Sequence, residues 1–136
     1  MADDRRYRFR LALLAIGVGM CDPARSVNLD VAGITAEEMQ TLPEYCRARY
    51  GNDQVLKARW DQQMGTKHFL HVHHYCSGLN FMRRAGMATD SQKRRIRLQT
   101  ASNEFDYVLR NWPPDFYLYA PAKQQKALAN AMLRHL

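Results

Sequence analysis

Four histidines and a cysteine lie within nine residues, in the stretch HFLHVHHYC at positions 68–76. Imidazole nitrogens and thiolates are ligands that zinc prefers, so His68, His71, His74 and Cys76 are candidate metal ligands. A zinc site needs three or four such groups to converge. The helical pairs that converge best are four residues apart, and no pair of these histidines has that spacing. A small metal-binding protein is therefore the alternative interpretation.

The preferred interpretation places the histidines inside a helical hairpin. His71 and His74 would lie between helices with hydrogen-bonded rings, and His73 would face solvent, because histidine is intermediate in burial and can both donate and accept. The cluster would then be structural, and the sequence predicts no cofactor.

The first 26 residues have the order of a secretory signal peptide: a basic start, an apolar run from Leu11 to Met20, a turn at Pro23 and a small residue at Ser26. This predicts a signal peptide over residues 1–26 and a single domain over residues 27–136. Ten apolar residues are too few to cross about 30 Å of hydrocarbon as a helix, so we expect no transmembrane anchor. Lipidation of Cys21 and an uncleaved cytoplasmic helix are the alternatives.

Two cysteines, Cys46 and Cys76, follow the predicted signal peptide. An even pair that packs closely in an oxidising compartment is expected to form a disulfide. The sequence therefore predicts a Cys46–Cys76 disulfide and a location in the periplasm or cell envelope.

The composition limits the class of protein but does not indicate an activity. The chain has 136 residues, enough for one core, with 46% hydrophobic and 24% charged residues. Residues 27–136 contain 15 basic and 10 acidic residues, a net charge of +5. This charge is not interleaved with exposed aromatic residues on a known module, which argues against nucleic-acid binding. The densest run, Lys93 to Arg97, is interpreted as a solvated helix face.

No catalytic motif is present in the sequence. Glu104 and Asp106 diverge on a helix, and there is no nucleophile elbow, phosphate-binding glycine loop or haem attachment motif. We therefore predict a protein without enzymatic activity.

The pattern of apolar residues predicts an all-α fold with no strands. Thr35 and Glu38 have the spacing of a capping box, and Pro43 interrupts the helix that they begin. Further helices are expected from Asn52 to Gly65, from Lys67 to Gly86, from the turn at residues 88–91 to Pro113, and from Ala122 to His135. The last helix is expected to be amphipathic and to carry Ala127, Leu128, Ala131 and Met132.

The helix after Lys67 is apolar over most of its circumference, apart from one polar stripe. The stripe consists of His73, Ser77, Asn80 and Arg84. The position of this polar stripe on an otherwise buried helix motivates the hypothesis that these four residues line a groove that binds a protein partner.

The predicted hairpin resembles a tetratricopeptide repeat. Ala101, Phe105, Val108 and Pro113 have the spacing of that repeat's second helix, and Tyr75, Gly78, Leu79 and Met82 stand at its first-helix positions. The wider set LPEYCRARY, HHYCSGLN and FDYVLRNWPPDF is similar to uncharacterised exported repeat proteins of Gram-negative bacteria, over residues 42–116.

This resemblance implies an antiparallel helical hairpin with flanking cap helices, acting as an exported scaffold. It supplies no catalytic residues. Since repeat arrays normally need three or more units, a protein partner or a second copy would complete the stack.

Overall fold

The computed structural model describes residues 33–136, so the predicted signal peptide lies outside the described residues. The described residues form seven helices and no strand. The helices are α1 (Ala36–Gln40), α2 (Glu44–Tyr50), α3 (Gln54–Met64), α4 (Thr66–Phe69), α5 (Val72–Met87), α6 (Ser91–Asn111) and α7 (Tyr119–Arg134). The prediction of an all-α fold is confirmed.

Several helix ends follow from local chemistry that was visible in the sequence. Thr35 caps α1, and its hydroxyl accepts from the Glu38 amide while the Glu38 carboxylate accepts from the Thr35 amide. Pro43 separates α1 from α2, and Gly65, at a φ of +80°, ends α3. Asp90 is the residue that caps α6, through the amide of Lys93. Each cap satisfies an amide that the helix itself leaves without a partner.

Helices α5 and α6 run antiparallel and form the centre of the domain. Gly78 of α5 lies against the Phe105 ring of α6, while Arg97 near the start of α6 donates to the carbonyl of Arg84 near the end of α5. Helix α7 then packs on α6, where Ser102 Oγ donates to Asn130 Oδ1 over 2.7 Å. The fully buried Leu98, Phe105 and Val108 place the core along α6.

The helix predicted from Lys67 to Gly86 is broken at Leu70 and His71. The His73 ring lies 2.8 Å from the Leu70 carbonyl through Nδ1, and the amide of His74 bonds to the carbonyl of His71 instead of to that of Leu70. A histidine side chain thus takes the carbonyl that a continuous helix would use. Sequence periodicity cannot detect this competition, so the prediction of one helix was wrong.

The predicted disulfide is present between Cys46 of α2 and Cys76 of α5, with their Cα atoms 5.7 Å apart. Both residues are fully buried, so the bond ties the helices that precede the hairpin to its first helix. It closes a loop over a sequence separation of 30 residues. Because the bond lowers the conformational entropy of the unfolded chain, it stabilises the folded state by about 3 to 4 kcal/mol.

The apolar side of α7 differs from the expectation. Ala122 and Ala129 are the buried residues of this helix, whereas Leu128 is 49% exposed. Ala127 is also exposed, and Ala131 and Met132 are half-buried. Helix α7 therefore buries two of its small residues, while Leu128 is exposed and Met132 and Leu133 are half-buried.

Among residues 33–136, no helix has both the length and the apolar character needed to cross a bilayer.

The close approach of α5 and α6 generates a stability prediction. A Cβ atom at Gly78 would lie 2.6 Å from Phe105 Cε1, inside a fully buried contact, whereas a Cβ at Gly86 meets nothing within 4 Å. We expect Gly78→Ala to lower the free energy of unfolding by about 1 to 3 kcal/mol. Gly86→Ala, the matched control, should leave it unchanged or raise it by up to about 1 kcal/mol.

Denaturant unfolding of both variants, with the disulfide intact, measures the difference. Adding Phe105→Leu should recover part of the stability lost in Gly78→Ala, because the smaller side chain leaves room for the new methyl group. Equal stability of the two alanine variants would contradict the account of the packing.

Candidate functional site

The polar stripe of α5 is partly covered by the residues at the start of the described chain. Asn80 is 1% exposed and Arg84 is 8% exposed. Gly33 and Ile34 form the opposite wall of a small cavity of about 50 Å³ that Ser77, Asn80 and Arg84 line. The structure thus brings three of the four predicted partner-binding residues together, under residues 33–38 and not on an open groove.

An ion pair between Arg84 and Glu38 holds this covering segment. Arg84 Nε lies 2.5 Å from Glu38 Oε1, and Arg84 Nη2 lies 2.7 Å from Glu38 Oε2. The same Nη2 donates to the carbonyl of Gly33 over 3.2 Å. Two parallel bonds from a planar guanidinium to a carboxylate form the most specific ion-pair geometry available to proteins.

Glu38 is held in place for this contact by its second role in the capping box of α1. The bond from Arg84 lowers the pKa of the Glu38 carboxyl from 4.5 to about 2, against the opposing effect of burial. Bonds from the Thr35 amide and the Asn80 side chain lower it further. The carboxylate is therefore charged throughout the neutral range, and three groups hold it over α5.

Sequence reasoning missed Glu38 as a member of this site. The capping box identified Glu38 as a helix-start residue, but it lies 46 positions before Arg84. No local spacing signals a pairing over that distance.

His73, the fourth residue of the stripe, forms hydrogen bonds near the break between α4 and α5. Its ring Nδ1 contacts the Leu70 carbonyl, and its own carbonyl accepts a 3.0 Å bond from the Tyr50 hydroxyl. Burial and the neighbouring His74 lower the pKa of the His73 imidazole. The ring is therefore neutral near neutral pH, and because the Leu70 oxygen can only accept, Nδ1 carries the proton and donates to it.

The other three histidines of the 68–76 stretch do not share one set of partners, although His71 and His74 both contact the Tyr107 ring. His68 Nδ1 lies 3.0 Å from the Met64 carbonyl, and its ring packs on Phe116. His74 Nδ1 lies 2.6 Å from Glu104 Oε2 and stacks on Tyr107 with ring centroids 3.7 Å apart. His71 also faces the Tyr107 ring, and burial, with the nearby His74 and His68, lowers the pKa of its imidazole.

The proposed metal ligands His68, His71, His74 and Cys76 do not converge. Cys76 is bonded to Cys46 and so offers no thiolate. Within residues 33–136, no group of three or more histidine, cysteine, aspartate or glutamate side chains is arranged to hold a metal ion. The His74–Glu104 pair joins α5 to α6 and is two-thirds or more buried on both sides.

The basic run from Lys93 to Arg97 is not uniformly solvated. Arg94 Nη2 donates to the Ala88 carbonyl over 2.6 Å, and Arg97 Nη1 donates to the Arg84 carbonyl over 2.7 Å. Both bonds close the turn between α5 and α6. Lys93 and Arg95 are exposed, as the sequence predicted for the run as a whole.

Comparison with known proteins returns no match to any protein-family model, curated protein or solved structure.

The Glu38–Arg84 pair generates a prediction for the pH dependence of stability. Because folding lowers the pKa of Glu38, the pair stabilises the protein fully above the ordinary carboxyl pKa of 4.5, and this stabilisation is lost as the pH falls toward 2. We expect the wild-type protein to lose roughly 2 kcal/mol more than Glu38→Gln over this interval. Glutamine keeps the capping box but removes the charge.

Denaturant unfolding at a series of pH values, from about pH 6 downward, measures this difference. Parallel curves for the two proteins would contradict the assignment, since the remaining carboxylates titrate in both.

Proposed function

We propose that the protein is an exported, non-enzymatic helical scaffold that holds a protein partner on α5. The observation that carries this proposal is the way α5 already holds a segment of its own chain. Arg84 binds the carboxylate of Glu38 at two points, and the Gly33 carbonyl lies on the same guanidinium. A surface that binds residues 33–38 in this way is chemically suited to an acidic segment of another protein.

The site includes His73, Ser77, Asn80 and Arg84, with Glu38 as the internal competitor. Half of the stripe is within reach of solvent, since His73 and Ser77 are only partly buried. Asn80 and Arg84 become available when the segment ending at Glu38 moves aside. Helix α1 is only five residues long and contains no buried residue, although Ile34 and Met39 pack on the core as partly buried side chains. Moving the segment aside therefore exposes part of two apolar side chains.

The tetratricopeptide-like organisation belongs to the same proposal. The antiparallel pair α5 and α6 supports it, as does the contact of Gly78 with Phe105, which joins a first-helix position of the motif to its second-helix aromatic. The flanking helices α2, α3 and α7 would act as caps, or a partner or second copy would extend the stack.

The disulfide supports a location in the periplasm or cell envelope. Disulfides between buried cysteines persist in oxidising compartments and are rare in the cytosol. The signal peptide over residues 1–26 is inferred from the sequence alone.

Export can be tested on the protein recovered from its native host. We expect the intact mass to correspond to a chain that begins at Val27, with Cys46 and Cys76 blocked to alkylation until the protein is reduced. A full-length chain with three alkylatable thiols would contradict both the export and the disulfide in vivo.

Partner binding can be tested with two variants that break the same ion pair. We expect Glu38→Gln to increase the amount of partner that co-purifies from the native host, because it weakens the internal competitor. Arg84→Gln should decrease it by about tenfold or more, because it removes the group that would bind the partner's carboxylate. Quantitative mass spectrometry after crosslinking measures both.

The two variants control for one another, since each loses the same internal contact. If the pair were only structural, the two substitutions would change partner recovery in the same direction. Unfolding measurements on both proteins show whether a change in recovery follows from lost stability.

A further inference from the structure

The outward side of α7 lines an apolar groove at the end of the domain farthest from the break between α4 and α5. Leu128 and Leu136 are 49% and 39% exposed, and with Ala131 and Met132 they line a concavity of about 370 Å³. Arg94 of α6 and His135 complete its wall. Four apolar and two nitrogen-bearing side chains are a composition suited to an amphipathic ligand.

A second concavity, of about 390 Å³, lies on the neighbouring flank of the same two helices. Ile96 and Leu133 supply its apolar lining, and Arg95, Gln99 and Thr100 supply its polar lining. Ile96 is 37% exposed. Apolar surface thus continues around the end of α7, beside exposed basic side chains.

This end of the domain is predominantly basic. The first two turns of α6 contain Lys93, Arg94, Arg95 and Arg97, and the last turn of α7 contains Arg134, against one carboxylate, that of the capping Asp90. Because α6 and α7 run antiparallel, the first turn of α6, with Lys93, Arg94 and Arg95, lies beside the last turn of α7, with Arg134. Cations in the first turn of a helix oppose its dipole, so this placement costs stability locally.

We propose that this groove, defined by Arg94, Leu128, Ala131, Met132, His135 and Leu136, binds an amphipathic helix of a protein partner whose apolar face is flanked by acidic residues. The lining residues 128–136 form one side of the last two turns of α7 and of the two residues that follow it, about 12 Å of surface. That length accommodates two turns of a bound helix, whose own apolar side chains, three and four residues apart, would enter the groove.

The positive charge around the groove and the shape of its apolar surface favour this partner over a second copy of the protein and over a membrane. A second copy of the same end would bring two basic surfaces together, which is unfavourable. An anionic membrane would satisfy the charge, but a lipid surface takes up protruding apolar side chains, and here they line a concavity between helices. The groove does not involve the Glu38–Arg84 pair, so this proposal is independent of the partner-binding site on α5.

The test uses the protein as purified from its host and two labelled synthetic helices of about sixteen residues. One peptide carries leucines at intervals of three and four flanked by glutamates, and the other carries lysines in place of the glutamates. Fluorescence anisotropy should show saturable binding of the glutamate peptide, with the lysine peptide at least about tenfold weaker. Added salt should weaken the binding.

Three variants locate the site. Leu128→Glu and Arg95→Glu should each weaken binding of the glutamate peptide by about tenfold. Val55→Glu, which changes an 82% exposed apolar residue on α3, should leave it unchanged.

Four outcomes would overturn the proposal. The first is the absence of saturable binding, and the second is equal binding of the two peptides. The third is recruitment of the protein to anionic phospholipid vesicles, abolished by Leu128→Glu, while neither peptide binds. The fourth is self-association of the protein, abolished by Leu128→Glu, while neither peptide binds. The third result would assign the surface to a membrane, and the fourth to a second copy.

Discussion

The absence of a side chain at Gly78 allows the Phe105 ring to lie directly against the backbone of α5, and the rest of the domain is arranged around that contact. Phe105 has no solvent-exposed surface, so neither partner can move away without opening the core. The same approach brings His74 next to Glu104 and allows Arg97 to reach the carbonyl of Arg84. Interiors packed this tightly tolerate little change in volume.

Helix α5 is enclosed because different neighbours cover its different sides. Helix α6 covers one side, the disulfide from Cys46 holds α2 on another, and residues 33–38 lie over the polar stripe. On this stripe Arg84 is paired with Glu38, whereas the buried Asn80 Oδ1 has no hydrogen-bond partner among the described residues. A buried ion pair of this kind is weak support for stability on its own, and its value here lies in fixing where the first described segment binds.

The two proposed binding surfaces differ in chemistry as well as in position. The α5 surface is polar and covered, and its recognition depends on a single guanidinium that an internal carboxylate occupies. The α7 surface is apolar and open, with basic residues around it. Leu128 and Leu136 remain accessible, since the residues that α7 buries are Ala122 and Ala129. Under the two proposals, the domain would hold two segments of different composition.

The sequence by itself determined the helical class, most helix ends and the pairing of the cysteines. Those features depend on neighbours in the chain: the capping box at Thr35, the stops at Gly65 and Pro113, and apolar residues at helical intervals. The pairing of Cys46 with Cys76 followed from counting, since only two cysteines lie beyond residue 26.

Only the tertiary structure decided how the candidate sites are built. Whether Arg84 faces a groove or a carboxylate depends on Glu38, and which side of α7 meets α6 depends on the shape of α6. The break at Leu70 likewise depends on where the His73 ring points. Each of these features depends on a contact that the sequence pattern does not specify. The spacing of apolar residues shows which residues share a helix face, but it does not show which neighbouring group packs against that face.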